Sequence, residues 1–242
     1  MKLDILTIFP EIISAYMQES IMKRALEKQQ VALRIFDIRE YSSDLKHFKV
    51  DDIPYGGATG MVMQVEPIKK CLESIGAEKS FKIITSPKGK KLNMSYLRSL
   101  QKQEHIVIIC GHYEGIDERV KAYIDEEVSI GDYVLTGGEL PALVIADSLI
   151  RLIPEVVGNS ESVSNDSFFK GLLDWDVYTR PRVFDETGVP EVLFSGDHKK
   201  IEQWKKSSAI INTLIHRPDL FSGYVFNKEE KEIIKDYLHK ED

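Results

Sequence analysis

Cysteine is scarce in this sequence, with only Cys71 and Cys110 among 242 residues. Two thiols without a metal-ligand spacing predict neither a disulfide framework nor a zinc site. Long apolar runs are also missing: the first one contains or adjoins Asp4 and Glu11, and no later one reaches the roughly 20 residues of a membrane span. These absences favour a reduced, cytoplasmic protein without a signal peptide or membrane segment.

Two phosphate-binding signatures are absent as well, since neither GxxxxGK[ST] nor GxGxxG occurs. The net charge of −7 argues mildly against non-specific binding to nucleic acid. A local basic patch is nevertheless present between residues 197 and 217, where two acidic residues are outnumbered by Lys199, Lys200, Lys205, Lys206 and Arg217. A phosphate-binding face and a solvated helix surface both explain these charges.

The overall composition is that of an ordinary globular protein, with 43% hydrophobic and 29% charged residues. The hydrophobic fraction is large enough for a buried core. Runs of β-prone residues alternate with amphipathic helical segments. Strands are predicted at residues 3–9, 31–38, 81–85, 106–110 and 128–135, and helices at 11–28, 67–75, 94–102 and 139–153. This alternation predicts an α/β fold with a largely parallel sheet covered by helices on both faces.

The periodicity is lost after Pro154. Residues 155–190 are too long for an ordinary connection, which predicts a functional or mobile loop. Beyond them, residues 197–215 and 229–240 have apolar residues at helical spacing. The sequence therefore predicts a large α/β domain at 1–160, a flexible linker at 161–176, and a small all-helical C-terminal domain at 177–242.

Four glycine-containing loops follow or flank the predicted strands. They are PYGGATGM at 54–61, SPKGKK at 86–91, GHYEGIDERV at 111–120 and GGELP at 137–141. Each alone suits a structural turn, but ligands bind at the carboxyl ends of parallel strands, so together they predict one site. The acids Glu114, Asp117, Asp132 and Glu139 in or beside these loops would repel a pyrophosphate. S-adenosylmethionine, with a neutral adenine and a cationic sulfonium, fits such a site.

Longer blocks carry a family resemblance. They are FPE at 9–11, DDIPYGGATGM at 51–61, CGHYEGIDERV at 110–120, IDEEVSIGDYVLTGGELPA at 124–142, and NDSF, GLLD and YTRP between 165 and 181. In this order along nearly the whole chain they closely resemble the bacterial tRNA (guanine37-N1)-methyltransferase family, of the SPOUT class. Two positions depart from it: His112 stands where many relatives have arginine, and Ala58 where many have a third glycine.

The resemblance implies a SPOUT-type sheet with a trefoil knot, although threaded chains are rare. It also implies an obligate homodimer with a shared active site, in which one subunit holds S-adenosylmethionine and the helical domain of the other binds the anticodon stem-loop of tRNA. The implied cofactor-binding residues are Ser86, Pro87, Gly111, Ile130, Gly131, Asp132, Tyr133, Val134, Leu135, Gly137, Gly138 and Pro141. Mg²⁺ is implied as a second cofactor, for which the sequence assigns no ligands.

The implied reaction is methyl transfer to N1 of guanosine 37. Guanine N1 carries a proton and is a poor nucleophile until a base removes it, and Asp166 matches the family's base. Charge that develops on guanine O6 needs a fixed donor, and Arg151 matches the family's arginine. Outside the resemblance, Asp166 also fits an Asx turn and Arg151 a helix-end cation. The expected substrate contacts are His112, Glu114, Asp51, Gly57, Lys199 and Lys206.

Two other interpretations are open from the sequence. One is a non-catalytic nucleotide- or RNA-binding module with the same fold, which the presence of Asp166, Arg151 and all the glycine turns disfavours. The other is an enzyme of this fold that acts at another RNA position or on a ribose. The DERV and NDSF blocks speak against that second alternative.

Overall fold

A computed structural model describes residues 1–57, 59–157 and 164–241, with side chains up to residue 239. Ala58 and the first residues of the predicted linker, 161–163, lie outside the described residues. The chain divides into two compact units, Met1–Gly158 and Asn159–Asp242. The limits assigned to the linker from the sequence stay a prediction.

The first unit contains the alternating elements. Its strands are β1 (Lys2–Thr7), β2 (Ala32–Asp37), β3 (Asp51–Asp52), β4 (Val62–Met63), β5 (Phe81–Lys91), β6 (His105–Ile109) and β7 (Glu126–Ser129). Its helices are α1 (Pro10–Met17), α2 (Ser20–Glu27), α3 (Val65–Ser74), α4 (Met94–Leu100) and α5 (Glu139–Arg151). Short 3₁₀ helices follow β2 and precede β7, at Ile38–Tyr41 and Glu118–Tyr123.

A five-stranded sheet with the order β2-β1-β6-β5-β7 forms the centre of this unit, and its neighbouring strands are parallel. Side chains alternate across β1: Leu3 and Ile5 pack into the apolar cluster that includes α1, α2, α4 and α5, whereas Leu6 packs with α3. The predicted α/β fold with helices on both faces is therefore confirmed. The trefoil knot stays a prediction.

The strand predicted at 128–135 is too long. β7 ends at Ser129, and the chain turns at Gly131, which has φ +157° and whose amide donates to the Ser129 hydroxyl at 3.2 Å. A Cβ on Gly131 would lie 2.4 Å from the ring of Tyr133. The β-prone residues 133–135 thus belong to a loop.

Two further boundaries differ from the sequence predictions. The helix predicted at 11–28 is divided into α1 and α2, because Ser20, the first residue of α2, adopts a positive φ of +48°. The strand predicted at 81–85 continues to Lys91, with a shift of register against β7 between Thr85 and Lys90. Strand β5 therefore contacts β7 on both sides of an irregular segment.

The second unit contains α6 (His198–His216), α7 (Lys228–Glu241), and 3₁₀ turns at Glu191–Phe194 and Pro218–Phe221. It also contains a hairpin of β8 (Val183–Phe184) and β9 (Thr187–Gly188), which the prediction of an all-helical domain did not include. Asp197 caps α6 by accepting the backbone N–H groups of Lys199 and Lys200. Among the described residues of the whole chain, no helix combines the length and the apolar character needed to cross a bilayer.

A buried carboxylate lies in the middle of the sheet. Asp4, on β1, is fully buried and accepts two hydrogen bonds from Arg34 on β2, at 2.8 and 2.6 Å. His105 on β6 lies 2.7 Å from the same carboxylate. Burial raises the pKa of Asp4, but the hydrogen bonds from Arg34 and His105 outweigh it, and the pKa lies below its usual value. Asp4 thus ties three neighbouring strands together as an anion.

Replacing Arg34 with methionine should lower the free energy of unfolding by about 2 kcal/mol, less than for a fully buried pair because the arginine side chain is 41% exposed. The effect should be complete near pH 7. It should fade as the pH falls below 3.8 through the lowered pKa of Asp4, because the protonated carboxyl no longer needs a cation. Urea unfolding at several pH values measures both.

Arg39→Met is the matched control. Arg39 also pairs with a carboxylate, that of Asp37, but Asp37 is more exposed than Asp4. An equal loss in the two variants would show that the buried position of Asp4 has no special weight.

Candidate active site

The irregular segment within β5 and the loops that follow β6 and β7 meet at one edge of the sheet and line one cleft of about 390 Å³, within the first unit. Residues 84–88 contribute one wall, residues 111–118 a second, and residues 128–131 and 133–138 with Pro141 a third. This is the position at which parallel sheets bind ligands. Three of the four glycine loops therefore converge on one cleft, whereas no described residue of the fourth, at 54–61, lines it.

The start of α5 is packed directly on the end of β6. The amide of Gly138 donates to the carbonyl of Gly111 at 2.7 Å. A Cβ on Gly138 would lie 2.3 Å from the Thr85 hydroxyl oxygen, 2.6 Å from the Gly111 nitrogen and 2.8 Å from the Cys110 Cα. The chain can approach this closely only where the side chain is a hydrogen atom.

The loop after the first part of β5 is equally close to β7. Gly89 has no room for a side chain, because a Cβ would lie 2.4 Å from the backbone nitrogen of Val128. The loop residues Ser86, Pro87 and Lys88 border the cleft. Glycine in SPKGKK is therefore explained by strand packing.

Most of the residues expected to bind the cofactor lie together. Eleven of the twelve line the cleft: Ser86, Pro87, Gly111, Ile130, Gly131, Tyr133, Val134, Leu135, Gly137, Gly138 and Pro141. The twelfth, Asp132, does not line it; its side chain is 88% exposed and pairs with Lys91 at 3.0 Å. The grouping of the eleven residues was inferred from family motifs, and the structure provides a common surface for them.

The expected substrate contacts are more dispersed. His112 and Glu114 line the cleft, whereas Asp51 and Gly57 do not. Asp51 pairs with Met63 in the small β3–β4 ladder, and Gly57 belongs to an exposed turn with φ +77°. The loop that contains Gly57 reaches the cleft indirectly, because the carbonyl of Met61, near its end, accepts the Glu114 amide at 3.0 Å.

Ion pairs border the cleft. Glu118 accepts from Lys88 and Lys121, both at 2.6 Å, and Lys121 also lies 2.8 Å from Glu127. The hydrogen bonds from Lys121 and Lys88 lower the pKa of Glu118 to about 2. These acids and bases, which the sequence analysis did not identify, neutralise each other on the border.

Glu139, expected among the acids of the loops, is directed inward. Its side chain is 4% exposed, accepts the Thr7 hydroxyl at 2.6 Å, and approaches Nε2 of His112 to 3.4 Å. The thiol of Cys110 is buried close by, and burial raises its pKa. Glu139 therefore supports the cleft from beneath, where the sequence had suggested a charge facing the ligand.

The predicted catalytic pair is divided between the two units. Arg151 is the last residue of α5 in the first unit, and Asp166 belongs to the second; both are half-buried and make interactions. The carbonyl of Asp166 accepts the amide of Phe169 at 3.2 Å, which forms a turn at this position. Each residue is located on its own unit, and their joint role stays a prediction.

The two lysines expected to contact tRNA lie on α6. The side chain of Lys199 extends from an exposed first turn. Lys206 lies 2.7 Å from Glu229 and 3.7 Å from Glu230. The hydrogen bond to Glu229 raises the pKa of Lys206, and the two acids neutralise part of its positive charge.

The described ranges contain no group of three or more His, Cys, Asp and Glu side chains arranged to hold a metal ion. The described residues therefore do not fit a Mg²⁺ site made of such a group, and no chemical role is assigned to Mg²⁺.

Several cleft residues besides the ion pairs were not predicted from the sequence: Ile84, Thr85, Ile116 and Thr136. Thr85 could have been found, because it ends the predicted strand at 81–85 and ligands bind at such ends. Ile116 and Thr136 lie within the quoted glycine loops, but nothing in their chemistry distinguishes them.

Comparison with known proteins gives a consistent result. The family model described as tRNA (Guanine-1)-methyltransferase TrmD matches residues 1–223. The tRNA (guanine-N(1)-)-methyltransferase of Mycoplasma capricolum subsp. capricolum is 49% identical over 236 residues, 97% of this chain and 98% of the relative. The enzyme of Carboxydothermus hydrogenoformans with the same name is 50% identical over 232 residues, which are 96% of this chain and 91% of the relative. That of Clostridium botulinum strain Hall is 47% identical over 241 residues, which are 99% of this chain and 100% of the relative.

Gly138→Ala should destabilise the first unit, because the added methyl group would overlap the backbone of Gly111 and Cys110. Overpacking of this kind lowers the free energy of unfolding by about 1–3 kcal/mol. Gly188→Ala is the control, since a Cβ on Gly188 meets nothing within 4 Å. Thermal unfolding measures the change, and equal melting temperatures for the two variants would contradict the packing argument.

Proposed function

The chain belongs to the tRNA (guanine-1)-methyltransferase family, and from that premise we propose that it transfers a methyl group from S-adenosyl-L-methionine to N1 of guanosine 37 in the anticodon loop of tRNA. The observation that carries the proposal is the convergence of eleven expected cofactor-binding residues on one cleft at the strand ends. Family membership alone supports guanine N1 of a tRNA. The donor and position 37 are the finer part of the proposal.

The cleft suits the proposed methyl donor. Its walls combine apolar side chains, such as Ile84 and Val134, with a glycine-rich backbone at Gly111 and Gly137–Gly138. Backbone N–H and C=O groups can hydrogen-bond to adenine and ribose without adding charge to the cleft. The paired acids on the border do not attract a pyrophosphate. When bound, S-adenosylmethionine supplies an electrophilic methyl group on its sulfonium.

Asp166 is proposed as the general base. Its carboxylate accepts the proton from guanine N1, which leaves a lone pair on N1 for the methyl group. Arg151 is proposed to donate hydrogen bonds to guanine O6, where negative charge collects as N1 loses its proton. The two proposed roles are complementary. Asp166 takes the proton from N1, and Arg151 stabilises the negative charge that this deprotonation leaves on O6.

The proposed homodimer is supported by an exposed apolar surface on neighbouring helices of the first unit. Ile12 and Tyr16 on α1 and Leu140 and Val144 on α5 are between 43% and 56% exposed. The two helices are joined by the Tyr16 hydroxyl, which donates to Asp147 at 2.5 Å. Exposed apolar patches of this kind commonly mark protein interfaces. In the proposed dimer, one subunit holds the cofactor and the other supplies its second unit.

The second unit is proposed to bind the anticodon stem-loop. Lys199 at the exposed start of α6 is suited to a phosphate contact. Lys206 contributes less as long as Glu229 holds it. A cytoplasmic location, expected for a tRNA-modifying enzyme, stays a prediction.

Labelled S-adenosylmethionine offered with a G37-bearing tRNA should give labelled tRNA, whereas the same tRNA with G37→A should not react, because adenine offers neither the N1–H that would hydrogen-bond to Asp166 nor the O6 that would accept from Arg151, and it would not be positioned for the transfer. Scintillation counting and nuclease mapping identify the product. Labelling of both tRNAs, or label on a ribose, would point to the alternative of another position, and labelling of neither would point to a non-catalytic RNA-binding module.

Asp166→Asn should lower turnover by about 100-fold or more, the usual contribution of a general base. The affinity for S-adenosylmethionine, measured by calorimetry, should change little because the cofactor residues lie on the first unit. Asp185→Asn, in the exposed hairpin turn of the same unit, controls for loss of a carboxylate. An Asp166→Asn variant with a normal turnover rate would contradict the proposed role of Asp166 as the general base.

A further inference from the structure

Beneath the cleft lies a closed group of contacts that the mechanism above does not use. The Thr7 hydroxyl donates to Oε1 of Glu139 at 2.6 Å, and its oxygen accepts the amide of Phe9 at 2.9 Å. The second carboxylate oxygen, Oε2, lies 3.4 Å from Nε2 of His112. The His112 ring in turn packs edge-on against the Phe9 ring, with 5.0 Å between centroids. The group links β1, the loop after β6 and the first turn of α5.

This arrangement leaves His112 little freedom. Its side chain is 19% exposed and lines the cleft, and the Tyr113 ring lies 5.6 Å away on an edge-on approach. A Cβ on Gly137 would lie 2.3 Å from Nε2 of His112 and 2.5 Å from Oε2 of Glu139. The imidazole and the carboxylate therefore meet in the space that a side chain at residue 137 would occupy.

The chemistry of the partners fixes the proton on the ring. The single hydroxyl proton of Thr7 is already given to Oε1 of Glu139, so it is not available to Oε2. Oε2 therefore attracts a proton on Nε2 of His112. A proton held on Nε2 beside this oxygen, 3.4 Å away, would leave Nδ1 as the ring nitrogen that can accept from a ligand.

We propose that Glu139 is a positioning residue for methyl transfer, which orients His112 and keeps a proton on its Nε2, so that the ring offers Nδ1 to the target guanine. The inference rests on the proposed function, since it assigns His112 to the nucleobase of that reaction. Thr7 is a second positioning residue, because its hydroxyl donates a hydrogen bond to Oε1, the other oxygen of the Glu139 carboxylate. The contacts of a reacting base must be placed accurately, and supporting residues behind the contacting side chain provide that accuracy.

Glu139→Gln is the central test. The amide preserves size, and its Oε1 can still accept from Thr7, but its NH₂ group then faces Nε2 and requires this nitrogen to accept. The proton of a neutral His112 ring should move to Nδ1. We expect single-turnover methylation of G37-bearing tRNA to slow about tenfold or more, with the affinity for S-adenosylmethionine unchanged within about twofold.

A double-mutant cycle separates positioning from a merely structural role. If Glu139 acts through His112, adding Glu139→Gln to His112→Ala should slow methylation no further than His112→Ala alone. A structural role would slow the reaction equally in both backgrounds and would overturn the proposal. Glu126→Gln, at an acid of β7 that pairs with Lys90 at 3.0 Å, controls for loss of a paired carboxylate.

Thr7 provides a second route that leaves Glu139 in place. Thr7→Val removes the hydroxyl and should slow methylation in the same direction, whereas Thr7→Ser keeps the hydroxyl and should restore the wild-type rate. Equal rates for the valine and serine variants would contradict the proposed role of Thr7 in holding Glu139.

The imidazole nitrogens can be observed directly, without activity. In ¹⁵N spectra of the free protein, the His112 signals, assigned by their loss in His112→Ala, should show the Nε2–H form, and Glu139→Gln should shift them toward Nδ1–H. Unchanged signals overturn the positioning. Absence of methylation by the wild-type protein, with the expected spectra, overturns the proposed function and leaves the Glu139–His112 pair established.

Discussion

The structure depends on one close approach of the main chain, between the amide of Gly138 and the carbonyl of Gly111. It brings the first turn of α5 onto the end of β6, and it is possible only because no Cβ occupies the contact. The loop from 130 to 137 then lines the same cleft as residues 84–88 of β5 and the loop after β6, and it forms one wall of it. The same approach carries Glu139 into the interior beside Thr7.

Charge is arranged differently at the border of the cleft and beneath it. On the border, Glu118 and Lys121 are exposed members of a network, and such surface pairs contribute little to stability individually. Beneath it, Glu139 is desolvated, so its hydrogen bond from the Thr7 hydroxyl matters more. The border therefore presents paired charges to solvent, whereas the interior acid lies against the Thr7 hydroxyl and the His112 ring.

The sequence predicted the fold class well, because alternating apolar runs and helical periods reflect burial directly. It failed at residues 130–135, where Tyr133, Val134 and Leu135 have the composition of a strand but follow Gly131, whose positive φ ends the strand. Family motifs brought together the cleft residues, which composition could not do. The inward direction of Glu139 had no signal in the sequence, because it depends on a tertiary partner, Thr7, 132 positions away.

Strand β5 pairs with β7 before and after the segment that borders the cleft, at Thr85 and again at Lys90. Both ends of this segment are thus anchored in the same sheet. Thr85 and Lys90 both pair with Val128, so the residues between them leave the ladder and must return to the same point of β7. The length of this loop is consequently restricted far more than its composition, and variation among enzymes built on this scaffold should take the form of substitution there and of insertion elsewhere.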